Sequence, residues 1–272
     1  MRISVLGAGW LGLPFAQLLI EKGHQVQVSK RSEEGVKQLQ AQGLNAIQFD
    51  ADNLLKDEHI NLDNAQLSDF FNCDLLLITI PPGFRQGRGQ QYPELIRAIV
   101  KQAKIDGTRN IIFTSSTAVY PDVDAQLTED DATNWNEKAE LLLAAENAIQ
   151  QSDSNWLICR LAGLFGPQRN PARFVKHMRA INKNAIANMV HLNEVCSALL
   201  FLIEKQVSHQ IVNISSKHVV SKLDFYTAAL THCDESINLP EIIDGTQTKT
   251  INVNKLKAMG YHFLYDSAID AL

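Results

Sequence analysis

A glycine-rich segment near the N-terminus constrains the fold of this 272-residue chain more than any other feature. Residues 7–12 read Gly-Ala-Gly-Trp-Leu-Gly, directly after an apolar run at Ile3–Leu6 and at the start of a helical pattern over Trp10–Lys22. In a strand–turn–helix unit the first glycine permits a tight turn, the second lets the backbone approach a pyrophosphate, and the third lets the helix pack on the strand. This order predicts a dinucleotide-binding motif; a glycine-rich turn that binds no nucleotide is the weaker alternative.

Short apolar runs alternate with helical patterns through the first two-thirds of the chain. The runs lack polar alternation, which indicates strands buried on both faces, and helices between such strands indicate a parallel sheet. Right-handed crossovers then favour an α/β fold with a Rossmann doubly wound parallel sheet. We expect an NAD(P)-binding Rossmann domain at residues 1–165 and a small C-terminal α/β substrate-binding lobe at residues 166–272.

The predicted strands are Ile3–Leu6, Gln25–Ser29, Asn45–Phe49, Asp74–Ile80, Asn110–Thr114, Trp156–Leu161 and Ile211–Ile214. The predicted helices are Trp10–Lys22, Ser32–Gln42, Tyr92–Lys104, Glu137–Gln150, a helix near Pro171–Ala180, Leu192–Glu204 and Lys222–Leu230.

The charge balance and the rare residue types exclude several classes of partner. Lys and Arg number 25 against 30 Asp and Glu, so the formal net charge is −5. This argues against nucleic acid, because no basic surplus exists to displace counterions. The four cysteines and eight histidines are scattered without metal-ligand spacing, and we expect no bound metal. No apolar run reaches the roughly 18 residues of a membrane span, so we expect a cytoplasmic protein without a membrane partner.

The end of the second predicted strand bears on the choice of cofactor. An NAD site usually places Asp or Glu there to bind the ribose hydroxyls, whereas this chain has Ser29, Lys30, Arg31 and Ser32. Two cations and two hydroxyls suit a 2′-phosphate, because Arg can form a bidentate pair with it. The pattern therefore favours NADP over NAD. The alternative is that Lys30 and Arg31 form only a solvated entrance to the next helix.

Further candidates for cofactor contacts lie at the same predicted sheet edge, where ligands bind in such folds. Asp50 follows the third strand, where it either hydrogen-bonds an adenine or caps the next turn. Thr79 and Pro81 end the fourth strand and are expected to line the ligand crevice. Within the glycine motif, Trp10 packs against the next strand or, together with Leu11, contacts the cofactor.

Four arginines and a histidine are candidates for binding a small, anionic substrate. Arg85 and Arg88 lie in a glycine-rich loop, which is either a lid that closes over an anion or a flexible linker. Arg169 and Arg173 either bind a phosphate or carboxylate or form a solvated helix face. His191 opens a helix and is either a substrate contact or a cap.

Four segments together carry a resemblance to a known family. They are the glycine motif, Ile-Phe-Thr-Ser-Ser-Thr-Ala-Val-Tyr at 112–120, Arg-Leu-Ala-Gly-Leu-Phe-Gly-Pro at 160–167 and Val-His-Leu-Asn-Glu-Val at 190–195. In these segments the chain resembles the extended short-chain dehydrogenase/reductases, called the NAD-dependent epimerase/dehydratase family. The resemblance covers essentially the whole chain and is closest to a small bacterial branch, the YeeZ-like proteins. It implies a Rossmann cofactor domain, a substrate lobe and often a homodimer, here through Tyr92–Lys104 and Glu137–Gln150.

The resemblance also implies roles for individual residues. An enzyme of this family moves a hydride between nicotinamide C4 and a carbinol or carbonyl carbon. Ser116 matches the catalytic serine, which hydrogen-bonds the reacting oxygen of the small-molecule substrate. The pyrophosphate would be bound by Gly7, Gly9 and Gly12. The loop beside the nicotinamide would be Ala162, Gly163 and Leu164.

The family's acid/base pair, Tyr-x-x-x-Lys on the helix after the serine strand, is missing. Alignment places Lys138 at the tyrosine position and Leu142 at the lysine position, and no tyrosine occurs between Tyr120 and Tyr226. Three interpretations stay open. An oxidoreductase or epimerase uses Lys138 or Tyr120 as its acid/base group; or the substrate supplies that group; or the protein binds NADP(H) without chemistry, as a redox or metabolite sensor. Lys138 is alternatively one charge of a surface cluster at the start of a helix.

Overall fold

The computed structural model describes residues 1–55, 65–233, 237–246 and 248–272. Within these ranges, no helix is long and apolar enough to cross a lipid bilayer. The strands, in chain order, are β1 Arg2–Leu6, β2 Gln25–Lys30, β3 Asn45–Gln48, β4 Leu75–Ile78, β5 Asn110–Ser116, β6 Gln126–Leu127, β7 Asn155–Leu161, β8 Gly163–Phe165, β9 Ala180–Asn182, β10 Met189–His191, β11 Gln210–Ile214, β12 Glu241–Ile243 and β13 Thr250–Ile251. The α-helices are α1 Gly12–Glu21, α2 Glu33–Ala41, α3 Ala65–Phe71, α4 Tyr92–Ile105, α5 Glu137–Gln150, α6 Ala172–Val175, α7 Leu192–Glu204, α8 Lys222–Thr231 and α9 Asn254–Ala258.

The largest sheet has seven strands in the order β11–β7–β5–β4–β1–β2–β3. The pairs β1–β2, β2–β3, β1–β4 and β4–β5 are parallel. The strand order reverses direction between β1 and β4, and the carboxyl ends of strands at such a switch point form the ligand crevice of a doubly wound sheet. The predicted Rossmann α/β fold is confirmed.

Local sequence patterns account for the main elements. Every residue of β4, Leu-Leu-Leu-Ile, is buried, as expected for a central strand covered by helices on both faces. Asn136 caps α5 by accepting a 2.9 Å hydrogen bond from the Ala139 N–H, and Ser32 caps α2 by accepting one of 3.2 Å from the Gly35 N–H. Because caps fix where helices begin, the predicted bounds of α5 agree with the structure.

The chain divides into two compact units, but not at a single boundary. The first unit contains residues 1–115, 136–159 and 206–211, and the second contains residues 116–135, 160–205 and 212–272. A single boundary near residue 165 is therefore wrong. The chain passes from the first unit to the second near the carboxyl ends of β5, β7 and β11, because the final residues of these strands belong to the second unit.

The second unit combines the helices α6 to α9 with three two-stranded parallel sheets, β8–β10, β9–β12 and β6–β13. Its buried core includes Phe165, Phe225 and Tyr226. The helix expected near 171–180 is wrong in extent, since α6 ends at Val175 and β9 begins at Ala180. The partner of β9 is β12, which is distant in sequence, so no local pattern could reveal this strand. Sequence analysis also does not predict α3, in the first unit, although its apolar residues have helical spacing.

Candidate functional site

A cavity of about 660 Å³ lies at the carboxyl edge of the sheet, within the first unit. The segments that follow β1, β2, β3 and β4 contribute its walls, so the cavity lies where the strand order reverses. The predicted cofactor residues found in these walls are Gly7, Gly9, Ser29, Lys30, Arg31, Ser32, Asp50, Thr79 and Pro81.

The glycine loop between β1 and α1 has the close contacts that its motif requires. Gly7 has a φ of +104°, and a Cβ on Gly12 would lie 2.2 Å from the carbonyl oxygen of Gly7. Thr79 directly follows β4, which neighbours β1 in the sheet. Its hydroxyl fixes the loop by donating to the same Gly7 oxygen at 2.8 Å. A Cβ on Gly9 would meet only the Gly7 oxygen, at 3.9 Å, so Gly9 leaves open space beside the loop. Such space is what a pyrophosphate needs.

Trp10 and Leu11 lie between the glycine loop and the first residue of α1. Leu11 is buried and Trp10 is half-buried, and neither lies in the cavity walls. The packing alternative for Trp10 is therefore favoured over cofactor contact, and a contact of Leu11 with the cofactor stays a prediction. No side chain of the described residues caps the N-terminus of α1. Its dipole therefore suits an anion.

Ser29 and Lys30 face the glycine loop. Ser29 is buried, and its hydroxyl oxygen accepts a 3.1 Å hydrogen bond from the Gly7 N–H. The Lys30 ammonium group donates to the carbonyl oxygen of Ala8 at 2.7 Å. The structure therefore gives Ser29 and Lys30 a positioning role, in place of the direct contact of Lys30 with a 2′-phosphate that the sequence suggests.

Gly35 is a residue that sequence analysis misses. It lies in the first turn of α2, where a Cβ would come within 2.8 Å of Lys30 Cγ and 3.0 Å of Ser32 Oγ. Glycine here makes room for the Lys30 side chain on its path to the glycine loop. The available signal was a glycine inside a helical pattern, because glycine costs a helix about 1 kcal/mol relative to alanine.

Arg31 extends the positive end of β2 to the rim of the cavity. It is exposed, and its guanidinium group forms no hydrogen bond or ion pair with the described residues. Its backbone is fixed, because its carbonyl oxygen accepts a 3.1 Å hydrogen bond from the Gln48 side chain. The part of the wall at the end of β2 consists of residues 29–32 and contains no carboxylate. Binding of a 2′-phosphate there stays a prediction.

Two aspartates follow β3 on the opposite side of the cavity. Asp50 Oδ1 accepts a 3.2 Å hydrogen bond from the Asp52 N–H, so the capping alternative for Asp50 is confirmed. Asp52 forms an ion pair with Arg88, with 3.0 Å between Oδ2 and Nη1. Arg88 lines this cavity. Arg88 therefore lies beside the predicted cofactor residues, and its contact with a substrate stays a prediction.

The loop after β4 is held against the start of α5. The Gln90 amide donates to the Glu137 carboxylate, and the Lys138 ammonium lies 6.0 Å from the centre of the Phe84 ring. Lys138 is otherwise exposed, and these contacts give it an anchoring role but no support as an acid/base group. Arg85 is exposed on the same loop, outside the cavity walls, and its contact with a substrate stays a prediction.

Ser116 ends β5 and lies in the second unit. Its hydroxyl oxygen accepts a 3.2 Å hydrogen bond from the Ala118 N–H, and the residue is partly exposed. Among the described residues this hydroxyl has no acceptor for its own hydrogen. The Trp135 indole N–H donates to the Ala118 carbonyl oxygen at 3.2 Å and holds the turn. Ser116 can thus donate to a substrate oxygen, as the predicted role requires.

Tyr120 is fully buried, and its hydroxyl belongs to a polar network of the second unit. The hydroxyl donates to Asn213 Oδ1 at 2.6 Å and accepts from Arg160 Nη1 at 2.9 Å. Burial raises the pKa of Tyr120 to about 12, although Arg160 acts in the opposite direction. The expectation that Tyr120 is a catalytic acid/base is wrong, because its proton is already donated inside the core.

The residues expected beside the nicotinamide form β8 and the position before it. The Gly163 N–H donates to the Asn188 carbonyl oxygen at 2.9 Å, and a Cβ on Gly163 would lie 2.5 Å from Met189 Sδ. Ala162 is buried and Leu164 is half-buried. These residues belong to the second unit, and their contact with a cofactor stays a prediction.

The remaining substrate candidates also lie in the second unit. His191 Nδ1 accepts a 3.1 Å hydrogen bond from the Asn193 N–H and caps α7, so the capping alternative is confirmed. Burial lowers the pKa of His191, which favours the neutral ring that such a cap requires. Arg169 and Arg173 are both exposed. The Arg169 N–H donates to the Gly166 carbonyl oxygen and closes a tight turn. Their binding to a substrate stays a prediction.

The strand order, the glycine loop and the cavity define a Rossmann-type dinucleotide-binding protein. A family model described as NAD(P)H-binding matches residues 7–200, and the chain belongs to this family. Protein YeeZ of Escherichia coli K12 is 31% identical over 235 residues, which are 83% of this chain and 81% of YeeZ. This similarity confirms the resemblance to the YeeZ-like branch.

Several solved structures with the same fold are named as enzymes of the epimerase/dehydratase type. UDP-glucuronic acid 4-epimerase from Bacillus cereus, in complex with NAD, superposes with a TM-score of 0.76 at 17% identity, covering 100% of this chain and 96% of that one. dTDP-glucose 4,6-dehydratase from Bacillus anthracis, also with NAD, gives a TM-score of 0.78 at 13% identity, with coverages of 100% and 94%. At these identities the similarity establishes the shared fold.

Proposed function

We propose that this protein is an NADP(H)-dependent oxidoreductase or epimerase that acts on a small-molecule substrate. The observation that carries the proposal is the end of β2. There the exposed Arg31 guanidinium lies on the cavity rim without a partner among the described residues, and the adjoining wall has no carboxylate. An unpaired guanidinium binds a phosphate bidentately, whereas the ribose hydroxyls of NAD call for a carboxylate.

The residues of the first unit fit such a cofactor. The open space beside Gly9 and the uncapped start of α1 suit the pyrophosphate. Arg31 and Ser32 would hold the 2′-phosphate, while Lys30 holds the Ala8 carbonyl oxygen and so fixes the loop. The close approach of Gly12 to the Gly7 oxygen keeps α1 near the strand end, where its N-terminus faces the phosphates.

Ser116 supplies the remaining element of the proposed chemistry. When bound, NADP(H) supplies or accepts a hydride at nicotinamide C4. Ser116 donates its hydroxyl hydrogen to the carbonyl or carbinol oxygen of the substrate and orients it. Because the Tyr120 proton is donated to Asn213 and the Lys138 ammonium lies over the Phe84 ring, the acid/base group is one that the substrate carries.

The cofactor proposal is tested by titrating the wild type and Arg31→Ala with NADPH and NADH. We expect tighter binding of NADPH in the wild type, and a loss of roughly 1.5–3 kcal/mol in NADPH binding on substitution, since a charge-assisted hydrogen bond is removed. NADH binding should change little. Arg97→Ala is the matched control, because Arg97 is exposed on α4 outside the cavity walls. Equal affinity for both cofactors, unaffected by Arg31→Ala, would refute the 2′-phosphate site.

A second candidate function is a non-catalytic NADP(H)-binding sensor. It is favoured by the contacts of the two acid/base candidates, since Tyr120 is buried in its network and Lys138 lies over Phe84. The two functions are separated by incubating the wild type with NADPH and a broad panel of carbonyl compounds. NADPH that is bound but not oxidised by any compound supports the sensor, and oxidation that Ser116→Ala abolishes supports the enzyme.

A further inference from the structure

An ion pair joins two walls of the cofactor cavity. Asp52 lies in the turn after β3 and Arg88 in the loop after β4, and both residues line the cavity. Asp52 Oδ2 and Arg88 Nη1 are 3.0 Å apart, and each side chain is about one-third exposed (31% and 37%). The two strands that precede these segments are separated in the sheet by β1 and β2. The pair therefore connects parts of the wall that the backbone does not join directly.

The loop that carries Arg88 is shaped to hold this side chain. Gly83 adopts a left-handed conformation with φ of +68°, and a Cβ there would lie 3.2 Å from both Cβ and Nε of Arg88. The arginine therefore folds back across a position that only glycine leaves open. The Arg88 N–H also donates to the Gly83 carbonyl oxygen at 3.1 Å. Gly89 in turn makes room for the Phe84 ring, on which the Lys138 ammonium lies.

Charge separates the roles of the two arginines of the cavity. The Asp52 carboxylate compensates the charge of Arg88, whereas Arg31 has no such partner among the described residues. A phosphate therefore gains more from Arg31. What Arg88 still offers is a flat, weakly hydrated guanidinium plane, and such planes stack on aromatic rings. The same cavity is also lined by apolar residues, among them Phe49, Ile80 and Leu95.

The geometry points to a base-stacking site: the guanidinium plane of Arg88, oriented by Asp52, stacks on the adenine ring of the dinucleotide. This inference rests on the proposed binding of NADP(H) and adds how the purine end is recognised. A flat cation beside apolar side chains suits an adenine, which is planar and aromatic. Asp52 is a positioning residue in this arrangement, because it acts only through Arg88.

The test uses two nucleotides that share adenine, adenosine 2′,5′-bisphosphate and 5′-ADP, titrated calorimetrically into the wild type and Arg88→Lys. Lysine keeps the positive charge and loses the plane. We expect both nucleotides to bind about 5- to 30-fold more weakly to Arg88→Lys, which corresponds to about 1–2 kcal/mol of stacking. Asp52→Asn should weaken both by a smaller factor. The ratio of 5′-ADP to 5′-UDP affinity should also fall in Arg88→Lys, because adenine stacks more strongly than uracil.

Three results would overturn the inference. Unchanged affinity of Arg88→Lys for both nucleotides shows that Arg88 does not touch the base. A loss confined to adenosine 2′,5′-bisphosphate shows that Arg88 binds the 2′-phosphate. An unchanged ratio of 5′-ADP to 5′-UDP shows that the base is not recognised. Melting temperatures of all variants are measured first, and Arg88→Gln replaces Arg88→Lys if the latter does not fold. Failure of the NADP proposal itself is seen separately, as equal binding of NADPH and NADH by the wild type that Arg31→Ala leaves unchanged.

Discussion

The Tyr120 hydroxyl donates a 2.6 Å hydrogen bond to Asn213 Oδ1, and both residues are fully buried. Arg160 donates to the same hydroxyl oxygen and also, at 2.7 Å, to the Glu129 carbonyl oxygen. The Asn213 N–H donates to the Glu129 carboxylate at 2.8 Å. The segment that follows β5 is thus tied to β7 and β11 by satisfied polar groups inside the second unit. Loss of one partner in such a network leaves the others unpaired.

Tyr120→Phe tests whether this tyrosine is structural. We expect the free energy of unfolding to fall by roughly 1–3 kcal/mol, because Asn213 Oδ1 and the Arg160 guanidinium each lose a buried partner. Urea unfolding measures the change. Tyr226→Phe is the control, since its ring is buried but its hydroxyl has no hydrogen bond among the described residues. A Tyr120→Phe variant as stable as Tyr226→Phe would contradict the structural role.

The glycine loop gives a matched pair of substitutions. Gly9→Ala should leave the stability within about 0.5 kcal/mol of wild type, because its Cβ meets only one atom within 4 Å, at 3.9 Å. Its methyl group nonetheless occupies the approach of the pyrophosphate, so NADPH should bind roughly tenfold or more weakly, about 1.4 kcal/mol. Gly12→Ala should lower both stability and NADPH affinity, since its Cβ would lie 2.2 Å from the Gly7 oxygen. Urea unfolding and NADPH titration of both variants check this; equal stability of the two variants would show that Gly12 does not set the packing of α1.

Gly35→Ala should reverse the usual sign of a helical glycine substitution. Alanine normally stabilises a helix by about 1 kcal/mol relative to glycine. Here its Cβ would come within 2.8 Å of Lys30 Cγ, so we expect a lower melting temperature and weaker NADPH binding, because the contact of Lys30 with Ala8 is disturbed. In a Lys30→Ala background the closest obstruction is removed and only Ser32 Oγ at 3.0 Å remains, so Gly35→Ala should destabilise less than in the wild type. Destabilisation of equal size in both backgrounds would show that Lys30 is not the cause.

His191 should make the stability of the protein sensitive to mild acid. Burial lowers its pKa in the folded state below the unfolded value of about 6.5. As pH falls through that value, the unfolded state binds more protons, so the free energy of unfolding decreases down to the folded pKa. Protonation of Nδ1 also removes the acceptor for the Asn193 N–H.

The measurement compares urea unfolding of wild type and His191→Asn at pH 7.5 and 5.5. Asparagine is a good N-cap that does not titrate, so the variant should lose less stability than the wild type on acidification. His218→Asn, which replaces an exposed histidine, is the control and should show the wild-type pH dependence. An identical pH dependence in His191→Asn and wild type would remove His191 as the source.

Much of the fold and part of the site could be predicted from local patterns. The strand at Ile3–Leu6, the three glycines and the following helix specify the nucleotide loop, because turn geometry and close packing depend on residues only a few positions apart. The capping alternatives for His191 and Asp50 are predictable for the same reason. The acid/base candidates were not predictable, because whether Tyr120 or Lys138 faces solvent, a ring or a buried amide depends on residues distant in sequence.

Local sequence patterns are enough to predict a parallel, doubly wound sheet with a phosphate-binding loop after the first strand, since period, caps and glycine spacing are local properties. Which cation serves which purpose depends on the three-dimensional arrangement of the strands. Lys30 contacts the carbonyl oxygen of Ala8, Arg88 pairs with Asp52, and Arg31 is left at the rim. Those choices arise because the strand order brings the ends of β1, β2, β3 and β4 together, and side chains then pair by distance and charge across that edge.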